Sequence, residues 1–469
     1  MSRVVIIGAG ISGLATAYAV EQLAAQAGLD VDTLVVEKQE RTGGKIWSRR
    51  EEGYLCEWGP NGFLDNKPMT LELCESLGIS EQLMRSDDNA RKRFIYSETV
   101  LHRLPENGPS FLKSNLISWP GKLRLACEPL IPKRTDPSDE TLAEFGRRRL
   151  GNEALNKLIA PMVSGIFAGD PETMSLKSCF KRIYELEQEY GGLIKAMIKL
   201  AKKKKQEIKE GKAVASAAGP GGILTSFQEG IQQLTDGVGE GLKGDVKLGN
   251  GVVEVESKKD GYLLTLENGE KIEAEILVSA VPAYAVAKML DRMNGKAAGL
   301  LQDIPYATMN VICFGYERER ISHDLNGFGY LIPKAEGRST LGTLWDSSIF
   351  PNRAPEGHVL LRSMMGGATN MGAIDFSDEE VIKKTKDDLW QIMGISAKPE
   401  FVRIFRHPNA IPQYTRGHAA RVEAIESALQ NESGLFLTGN AFAGVGLNDC
   451  VNASNLTAQK VITELQNRT

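Results

Sequence analysis

The sequence predicts an α/β fold in which a Rossmann-like parallel sheet is assembled from distant parts of the chain. Three observations predict it. Residues 4–15 form an apolar run that leads into a glycine-rich turn and a helix, as expected for a buried parallel strand and its crossover helix. A second apolar strand, 33–36, ends in the acidic residue Glu37. Residues 434–450 repeat the order of strand, glycines and helix, so we expect both ends of the chain to meet in one domain.

Length and composition limit the class of protein. A chain of 469 residues is too long for one ordinary core, so we expect two or three domains. The net charge of −4 provides no basic surface for a nucleic acid. The cysteines are scattered without a C-x-x-C pair, and the histidines form no metal-binding pattern, which argues against a disulfide framework and a metal site. No run is suited to a membrane span or a signal peptide, so we expect a cytoplasmic protein.

The first glycine turn has the spacing G-x-G-x-x-G, and each glycine has its own physical role. Gly8 allows the tight turn, Gly10 lets the backbone approach a pyrophosphate, and Gly13 lets the helix pack closely on the sheet. The helix N-terminus favours bound phosphate, and Glu37 can accept hydrogen bonds from a ribose. A glycine-rich packing turn without a ligand would not explain Glu37. The cofactor-binding residues predicted here are Gly8, Ala9, Gly10, Ile11, Ser12, Gly13, Glu37 and Lys38.

A second glycine-rich segment, residues 41–45, follows shortly after Glu37. In a flavoprotein, a Gly-Gly pair in this place lies beside the pyrophosphate, and Arg41 would supply a permanent positive charge. A surface turn is the alternative, and it is less favoured directly behind the first glycine turn. Residues 57–63 are dense in glycine and proline and predict a rigid loop along a flavin ring. The cofactor-binding residues predicted in these two segments are Arg41, Gly43, Gly44, Lys45, Gly59, Pro60, Asn61 and Gly62.

The motifs G-x-G-x-x-G, R-x-G-G-K and E-x-G-P-N-x-F, in this order, resemble those of the flavin monoamine oxidase superfamily. Within it they are similar to the family of oxygen-dependent protoporphyrinogen oxidases, and the run V-G-L-N-D-C at 445–450 is unlike that of amine oxidases. The resemblance extends over essentially the whole chain and implies FAD as the cofactor. It also implies further FAD contacts, at Val252, Gly439, Val445, Gly446 and Leu447.

The resemblance implies a substrate site as well. Arg93, in the motif R-F-x-Y, corresponds to the arginine that binds a substrate carboxylate, and a guanidinium is suited to bidentate contact with a propionate. Gly165 would lie beside a flat macrocycle, and Phe328 and Leu331 would contact its rings. From the residues alone, Arg93 could equally belong to a solvated surface, and the two apolar residues to the core. We interpret His418 as a structural histidine rather than a base.

Three domains are expected from the motifs and the resemblance together. They are an FAD-binding domain, an α+β substrate-binding domain with an antiparallel sheet, and a helical membrane-associating domain. The parallel sheet belongs to the first of them, which is therefore discontinuous. The predicted boundaries are 1–85, 222–286 and 428–469 for the FAD-binding domain, 86–107 and 287–427 for the substrate-binding domain, and 108–221 for the helical domain.

The helical domain is the part of the chain expected at a membrane surface. Apolar residues alternate with lysines there, and an amphipathic stretch, 193–201, leads into a run of four lysines at 202–205. Such a pattern can hold a protein on an anionic bilayer, and the resemblance favours peripheral attachment to the cytoplasmic membrane. An ordinary helical subdomain with a solvated basic end is the alternative. We further expect a loop at 207–222 and a helix at 227–242.

The resemblance implies a reaction. It is the six-electron oxidation of protoporphyrinogen IX to protoporphyrin IX, with O2 as acceptor and hydrogen peroxide as product. Positioning of the substrate against the flavin is the main requirement, and no protein base is assigned. The nearest rival hypothesis is oxidation of coproporphyrinogen III to coproporphyrin III. More distant hypotheses are an amine oxidase or carotenoid desaturase, a flavin-binding scaffold and an NAD-binding protein. A homodimer and transfer of the product to a ferrochelatase are further partner hypotheses.

Overall fold

The computed structural model describes residues 2–209 and 222–468. Its centre is a five-stranded sheet in which every neighbouring pair is parallel. The strands come from three separate stretches of the chain, so the sheet is discontinuous in sequence. In spatial order they are Asp245–Lys247, Val31–Val36, Ser2–Ile7, Ile276–Ser279 and Leu435–Leu437.

Both faces of this sheet are covered, which explains why its strands are apolar at nearly every central position. Val4 and Ile6 pack on one side against the helices Ile11–Ala27 and Leu447–Arg468. Val5 and Ile7 pack on the other side, against a three-stranded antiparallel sheet and two helices. Those elements are Val252–Lys258, Gly261–Leu266, Lys271–Ala274, Ala283–Leu290 and Gly295–Gln302.

A seven-stranded sheet forms the second body of the molecule. Its pairs are antiparallel as expected, with one exception: Gly329–Leu331 runs parallel to Arg93–Ser97. The hairpin at 93–103 joins the sheet from a distant part of the chain and adds its strands at the edge. Helix Asp378–Met393 packs on this sheet. The spatial order is Phe401–Pro412, Tyr306–Glu317, His358–Gly366, Thr340–Leu344, Gly329–Leu331, Arg93–Ser97 and Val100–Arg103.

Two small sheets lie between these bodies. One of them contains a strand that begins just before the helix expected at 227–242. The helix expected at 227–242 is shorter, Gln232–Glu240, and it is preceded by the strand Leu224–Phe227. Gly230 separates the two with a φ of +97°, a conformation that a helix cannot contain. The small sheets are Ser48–Glu51 with Tyr54–Glu57, and Phe63–Leu64 with Leu224–Phe227 and Leu83–Arg85; the other helices in these regions are Pro68–Ser76, Asp346–Ile349 and His418–Ala428.

The segment from 108 to 209 is helical. One of its helices begins at the capping box formed by Thr141 and Glu144. Residues 210–221, which include most of the loop expected at 207–222, lie outside the described residues. None of the helices that the structure describes has both the length and the apolar character needed to cross a bilayer. The helices are Gly108–Lys113, Trp119–Ala126, Leu142–Arg149, Asn152–Ala154, Ala160–Phe167, Leu176–Cys179, Lys181–Tyr190 and Leu193–Lys209. The three domain boundaries stay predictions.

A buried ion pair connects the segment before strand His358–Gly366 of the seven-stranded sheet to the small sheet that contains Tyr54–Glu57. Arg353 Nη2 lies 3.2 Å from Glu57 Oε1, and both side chains are at most 1% exposed. Ser48 donates to the other carboxylate oxygen, and the amide of Ile231 donates to the first. Burial raises the pKa of Glu57, while the charge of Arg353 opposes this rise. Because both charges are paired, this arrangement can persist in the interior.

Breaking this pair is expected to destabilise the protein strongly. Arg353→Met leaves the Glu57 carboxylate buried and unpaired, which should lower the free energy of unfolding by about 3–5 kcal/mol. Arg50→Met is the matched control because Arg50 pairs with Glu229 at the surface, and its loss should cost less than about 1 kcal/mol. Urea denaturation of both variants measures the difference, and equal losses would contradict the role of the buried pair.

Candidate flavin and substrate site

The first glycine turn has the geometry that its sequence predicts. Gly8 has a φ of +102°, and its amide donates to Val36 O at 2.8 Å. A Cβ on Gly13 would lie 1.8 Å from Gly8 O, so the helix packs on the turn more closely than any side chain permits. Ile11 and Ser12 form the first turn of the helix that begins here.

The second glycine segment lies directly against the first. The amide of Gly43 donates to Ala9 O at 2.7 Å, and Gly10 and Gly43 form a parallel bridge. A Cβ on Gly44 would approach Gly10 Cα to 3.2 Å. Two backbones without side chains thus face each other at the carboxyl end of the sheet, which is the cradle that a pyrophosphate requires.

Glu37 links the turn to the segment that precedes Val252. Its carboxylate accepts hydrogen bonds from the amides of Ala9, at 2.8 Å, and Gln39, at 2.9 Å. Its backbone carbonyl accepts from Asn250, and Val252 begins the next strand. Glu37 and Val252 are therefore close enough to serve one ligand. The side chain of Lys38 points away, since it is exposed and pairs with Glu267.

The two cations of the second segment are engaged with carbonyl oxygens. Arg41 donates to Thr42 O and Gly44 O and lies over the ring of Trp47 at 4.6 Å. Lys45 Nζ donates to the carbonyls of Asn409 and Ala410 on the seven-stranded sheet, and burial lowers its pKa to about 8. Arg41 thereby fixes its own loop, and Lys45 ties that loop to the second body. Their contacts to the cofactor stay predictions.

The loop at 57–63 is rigid for reasons that sequence alone does not reveal. Arg362, itself paired with the buried Asp346, donates to Gly59 O at 2.8 Å. A Cβ on Gly59 would lie 2.6 Å from Lys45 O, and one on Gly62 would lie 2.4 Å from Thr225 O. Pro60 is exposed between these anchored glycines.

Two polar atoms of this loop fit a bound flavin. Among the residues that the structure describes, the buried Nδ2 of Asn61 and Nε1 of Trp58 have no hydrogen-bond partner. Both are donors, and a buried donor without a partner costs free energy. The carbonyl and nitrogen acceptors of an isoalloxazine ring would satisfy such donors. Together with the glycine cradle, these atoms indicate that the residues present suit FAD.

The C-terminal motif returns to the first glycine turn. Gly439 has a φ of +110°, and a Cβ on it would lie 3.7 Å from Ser12 Oγ. Helix Leu447–Arg468 begins directly after Gly446, whose carbonyl accepts from the amide of Cys450. The positive end of this helix dipole therefore lies next to the glycine-rich loop. Val445 packs in an apolar cluster with Tyr414 and Phe167.

The four predicted substrate residues are brought together. Gly329 pairs with Arg93 in the parallel register described above, and the guanidinium of Arg93 lies 5.1 Å from the ring centre of Phe328. A Cβ on Gly165 would lie 2.9 Å from Leu331 Cδ1. The guanidinium of Arg93 has neither an ion-pair partner nor a hydrogen-bond partner within the described residues. Partial desolvation lowers its pKa, although the side chain remains accessible to solvent.

One helix lies between the predicted substrate residues and Val445 of the C-terminal loop. In Ala160–Phe167, Gly165 contacts Leu331, while Val163 and Phe167 pack in the cluster that contains Val445. An α-helix with its side chains is about 10 Å wide, so the two groups of residues are separated by roughly that distance. The helix Ala160–Phe167 thus contacts predicted substrate residues on one side and the cluster of Val445 on the other.

Sequence reasoning did not find the residues that support the site. Arg362 contacts the predicted flavin loop at 57–63, and Tyr414 contacts the one at 440–446. Each residue is distant from its loop in sequence, so the contact could not be inferred from a local pattern. His418 stacks on Tyr414 with ring centres 4.1 Å apart, and burial lowers its pKa to about 4. It is therefore neutral near neutral pH, which supports a packing role.

The parallel sheet, the facing glycine segments and the returning C-terminal loop define a flavin-binding oxidoreductase. The family model for flavin containing amine oxidoreductases matches residues 11–462. The chain belongs to this family, and it is an FAD-dependent oxidoreductase.

Relatives cover the whole chain. A chloroplastic protoporphyrinogen oxidase of Oryza sativa subsp. japonica is 35% identical over 97% of this chain and 87% of the relative. A coproporphyrinogen III oxidase of Bacillus subtilis (strain 168) is 30% identical over 99% of this chain and 98% of the relative. The crystal structure of an Exiguobacterium sp. 255-15 protein, provisionally assigned as a protoporphyrinogen oxidase, aligns with a TM-score of 0.83 and 26% identity over 99% of each chain.

Filling the first glycine turn should abolish cofactor binding. Gly13→Ala forces a methyl group onto Gly8 O, so we expect the flavin content of the purified protein to fall by roughly tenfold or more. Gly239→Ala is the control, because Gly239 lies in a helix and a Cβ there meets no atom within 4 Å. The ratio of flavin to protein absorbance measures both, and a Gly13→Ala protein with full flavin content would contradict the cradle.

Proposed function

We propose that the protein oxidises a porphyrinogen in haem biosynthesis, and that its substrate is protoporphyrinogen IX with O2 as the terminal acceptor. One observation carries the proposal: the guanidinium of Arg93, which has no partner within the described residues, lies over the ring of Phe328. A flat macrocycle with carboxylate substituents has the complementary chemistry. The names of the two relatives support the same substrate class.

Each substrate residue has a distinct task in this proposal. Arg93 binds a propionate, because a guanidinium without a protein partner retains its full capacity for a bidentate contact. Phe328 and Leu331 exclude water and hold the rings by apolar contact. Gly165 has no side chain, so Leu331 can pack directly against the helix Ala160–Phe167 and present its remaining surface to the substrate. Bound FAD supplies a hydride acceptor, so the chain itself has to orient the substrate rather than provide a strong base.

Coproporphyrinogen III is the second candidate, favoured by the name of the Bacillus subtilis relative. It carries four propionates instead of two and would need more free cations. The cations nearest to Arg93 in sequence are already engaged: Arg91 lies 3.3 Å from Asp88, and Lys92 donates to Asn89 and Asn326. Neither of these two neighbours is therefore a free cation beside Arg93.

Steady-state turnover of both porphyrinogens under the same conditions distinguishes the candidates. We expect the larger kcat/KM with protoporphyrinogen IX. A larger kcat/KM with coproporphyrinogen III would replace the first candidate by the second. A yellow protein that oxidises neither would reject both and favour a flavin-binding scaffold.

Removing the free guanidinium should affect substrate binding more than chemistry. Arg93→Ala is expected to raise KM by about tenfold to a hundredfold, since a charge-assisted bond contributes roughly 1.5–3 kcal/mol, and to leave flavin content unchanged. Arg91→Ala is the control, because Arg91 is an exposed neighbour with its own acidic partner. Loss of flavin in Arg93→Ala, or an equal change in KM in both variants, would refute the propionate role.

We also propose that the helical segment attaches the protein to an anionic membrane surface. Large apolar side chains are exposed there, with Trp119 at 70%, Leu123 at 68% and Met197 at 68%. The lysine run that ends the amphipathic stretch lies in the same segment, on the helix Leu193–Lys209. Apolar anchors beside lysines suit lipids with negative headgroups. The homodimer and the transfer to a ferrochelatase stay predictions.

Vesicle sedimentation tests this attachment. The wild-type protein should sediment with phosphatidylglycerol vesicles and less with phosphatidylcholine vesicles, and the double variant Trp119→Ser, Leu123→Ser should bind severalfold less. Trp390→Ser is the control, because Trp390 is also exposed, at 56%, but lies on the seven-stranded sheet's helix. Equal sedimentation of the double variant and the control would contradict the proposal.

A further inference from the structure

The hydroxyl of Tyr414 joins two ends of the flavin-facing loop. It donates to Asn440 O at 2.6 Å and accepts from the amide of Gly444 at 2.8 Å. Asn440 follows the strand Leu435–Leu437, and Gly444 precedes the helix Leu447–Arg468. One side-chain oxygen therefore closes the loop that carries Val445 and Gly446.

The loop makes a sharp turn that only a glycine adopts readily. Gly444 has a φ of +113°, and a Cβ on it would lie 2.6 Å from Asp449 Cβ. Asp449 is itself paired with Lys67 across the loop. The chain thus turns sharply against the first turn of the C-terminal helix, and a fixed hydrogen-bonding group stabilises that turn.

Tyr414 is held from outside the flavin-binding sheet. Its carbonyl accepts from the amide of Ser175 at 2.8 Å, and the neighbouring Gln413 side chain donates to Phe167 O at 2.8 Å. The ring of Tyr414 is 3% exposed and stacks on His418. Burial raises the pKa of Tyr414, so the hydroxyl keeps its proton and its ability to donate.

We propose that Tyr414 is a positioning residue that fixes the flavin-facing loop 440–446, and thereby sets the affinity for FAD and the reduction potential of the bound flavin. Amide groups of this loop and the N-terminus of the following helix favour negative charge on reduced flavin. Without the hydroxyl, these amides and the helix N-terminus are no longer held in a fixed position relative to the flavin. FAD binding then weakens, and the flavin becomes harder to reduce.

The variant Tyr414→Phe tests this role because it removes the hydroxyl and keeps the ring. Loss of two hydrogen bonds, which leaves the partly buried amide of Gly444 and the partly buried carbonyl of Asn440 without this partner, should raise the Kd for FAD by about tenfold or more. The midpoint potential of the bound flavin should become more negative. Titration of the apoprotein with FAD and a reductive titration of the holoprotein measure the two effects.

Tyr18→Phe is the matched control. Tyr18, on the helix Ile11–Ala27, is also buried and donates one hydrogen bond to a carbonyl, Ser76 O, at 3.2 Å. It does not contact the loop, so its variant should keep the Kd for FAD and the potential of the wild type. Tyr414→Phe loses one hydrogen bond more than Tyr18→Phe, so the melting temperature of its apoprotein should fall by only a few degrees more.

The proposal is overturned if Tyr414→Phe binds FAD with wild-type affinity and potential, or if Tyr18→Phe changes both as much. It is also overturned if the apoprotein of Tyr414→Phe melts far below that of Tyr18→Phe, because Tyr414 would then act on general stability. FAD binding is measured without a porphyrinogen, so a failure of the substrate proposal leaves this result unaffected.

Discussion

The close approach of two backbones at the end of the parallel sheet is the constraint on which the rest of the structure depends. Gly10 and Gly44 face each other without side chains, and Gly13 brings the first helix onto the same turn. A phosphate can reach backbone amides only where such space is kept. The parallel sheet, built from three distant stretches of the chain, holds this region in place. The C-terminal loop returns to Ser12 and borders the same region.

The second body is fixed to this region by buried charges. Arg353 pairs with Glu57, and Arg362 pairs with Asp346 and donates to Gly59 O. A buried ion pair adds little stability compared with apolar packing, but it tolerates few changes of geometry. The seven-stranded sheet is therefore held in one position relative to the loop at 57–63. Such positioning is what hydride transfer between a bound substrate and a flavin requires.

Much of the cofactor site could be predicted, because its signals are local in sequence. The roles of Gly8 and Gly13 follow from spacing alone, and their geometry agrees with the prediction. Arg93 and Phe328 could be associated only through family resemblance, since 234 residues separate them and their strands pair in an unexpected parallel register. Arg353 and Tyr414 escaped prediction because their partners are distant in the chain. The prediction of a helix at 227–242 was wrong at its start, because a strand ends at Phe227 and Gly230 separates that strand from the helix.

The central claim is that bound FAD is reduced directly by protoporphyrinogen IX in this site. Anaerobic mixing of the FAD-saturated protein with protoporphyrinogen IX, followed by visible absorbance, tests it most directly. We predict that the oxidised flavin band bleaches while porphyrin absorbance appears, and that coproporphyrinogen III produces the same change more slowly. A flavin band that persists in the presence of protoporphyrinogen IX, or that bleaches faster with coproporphyrinogen III, would contradict the account.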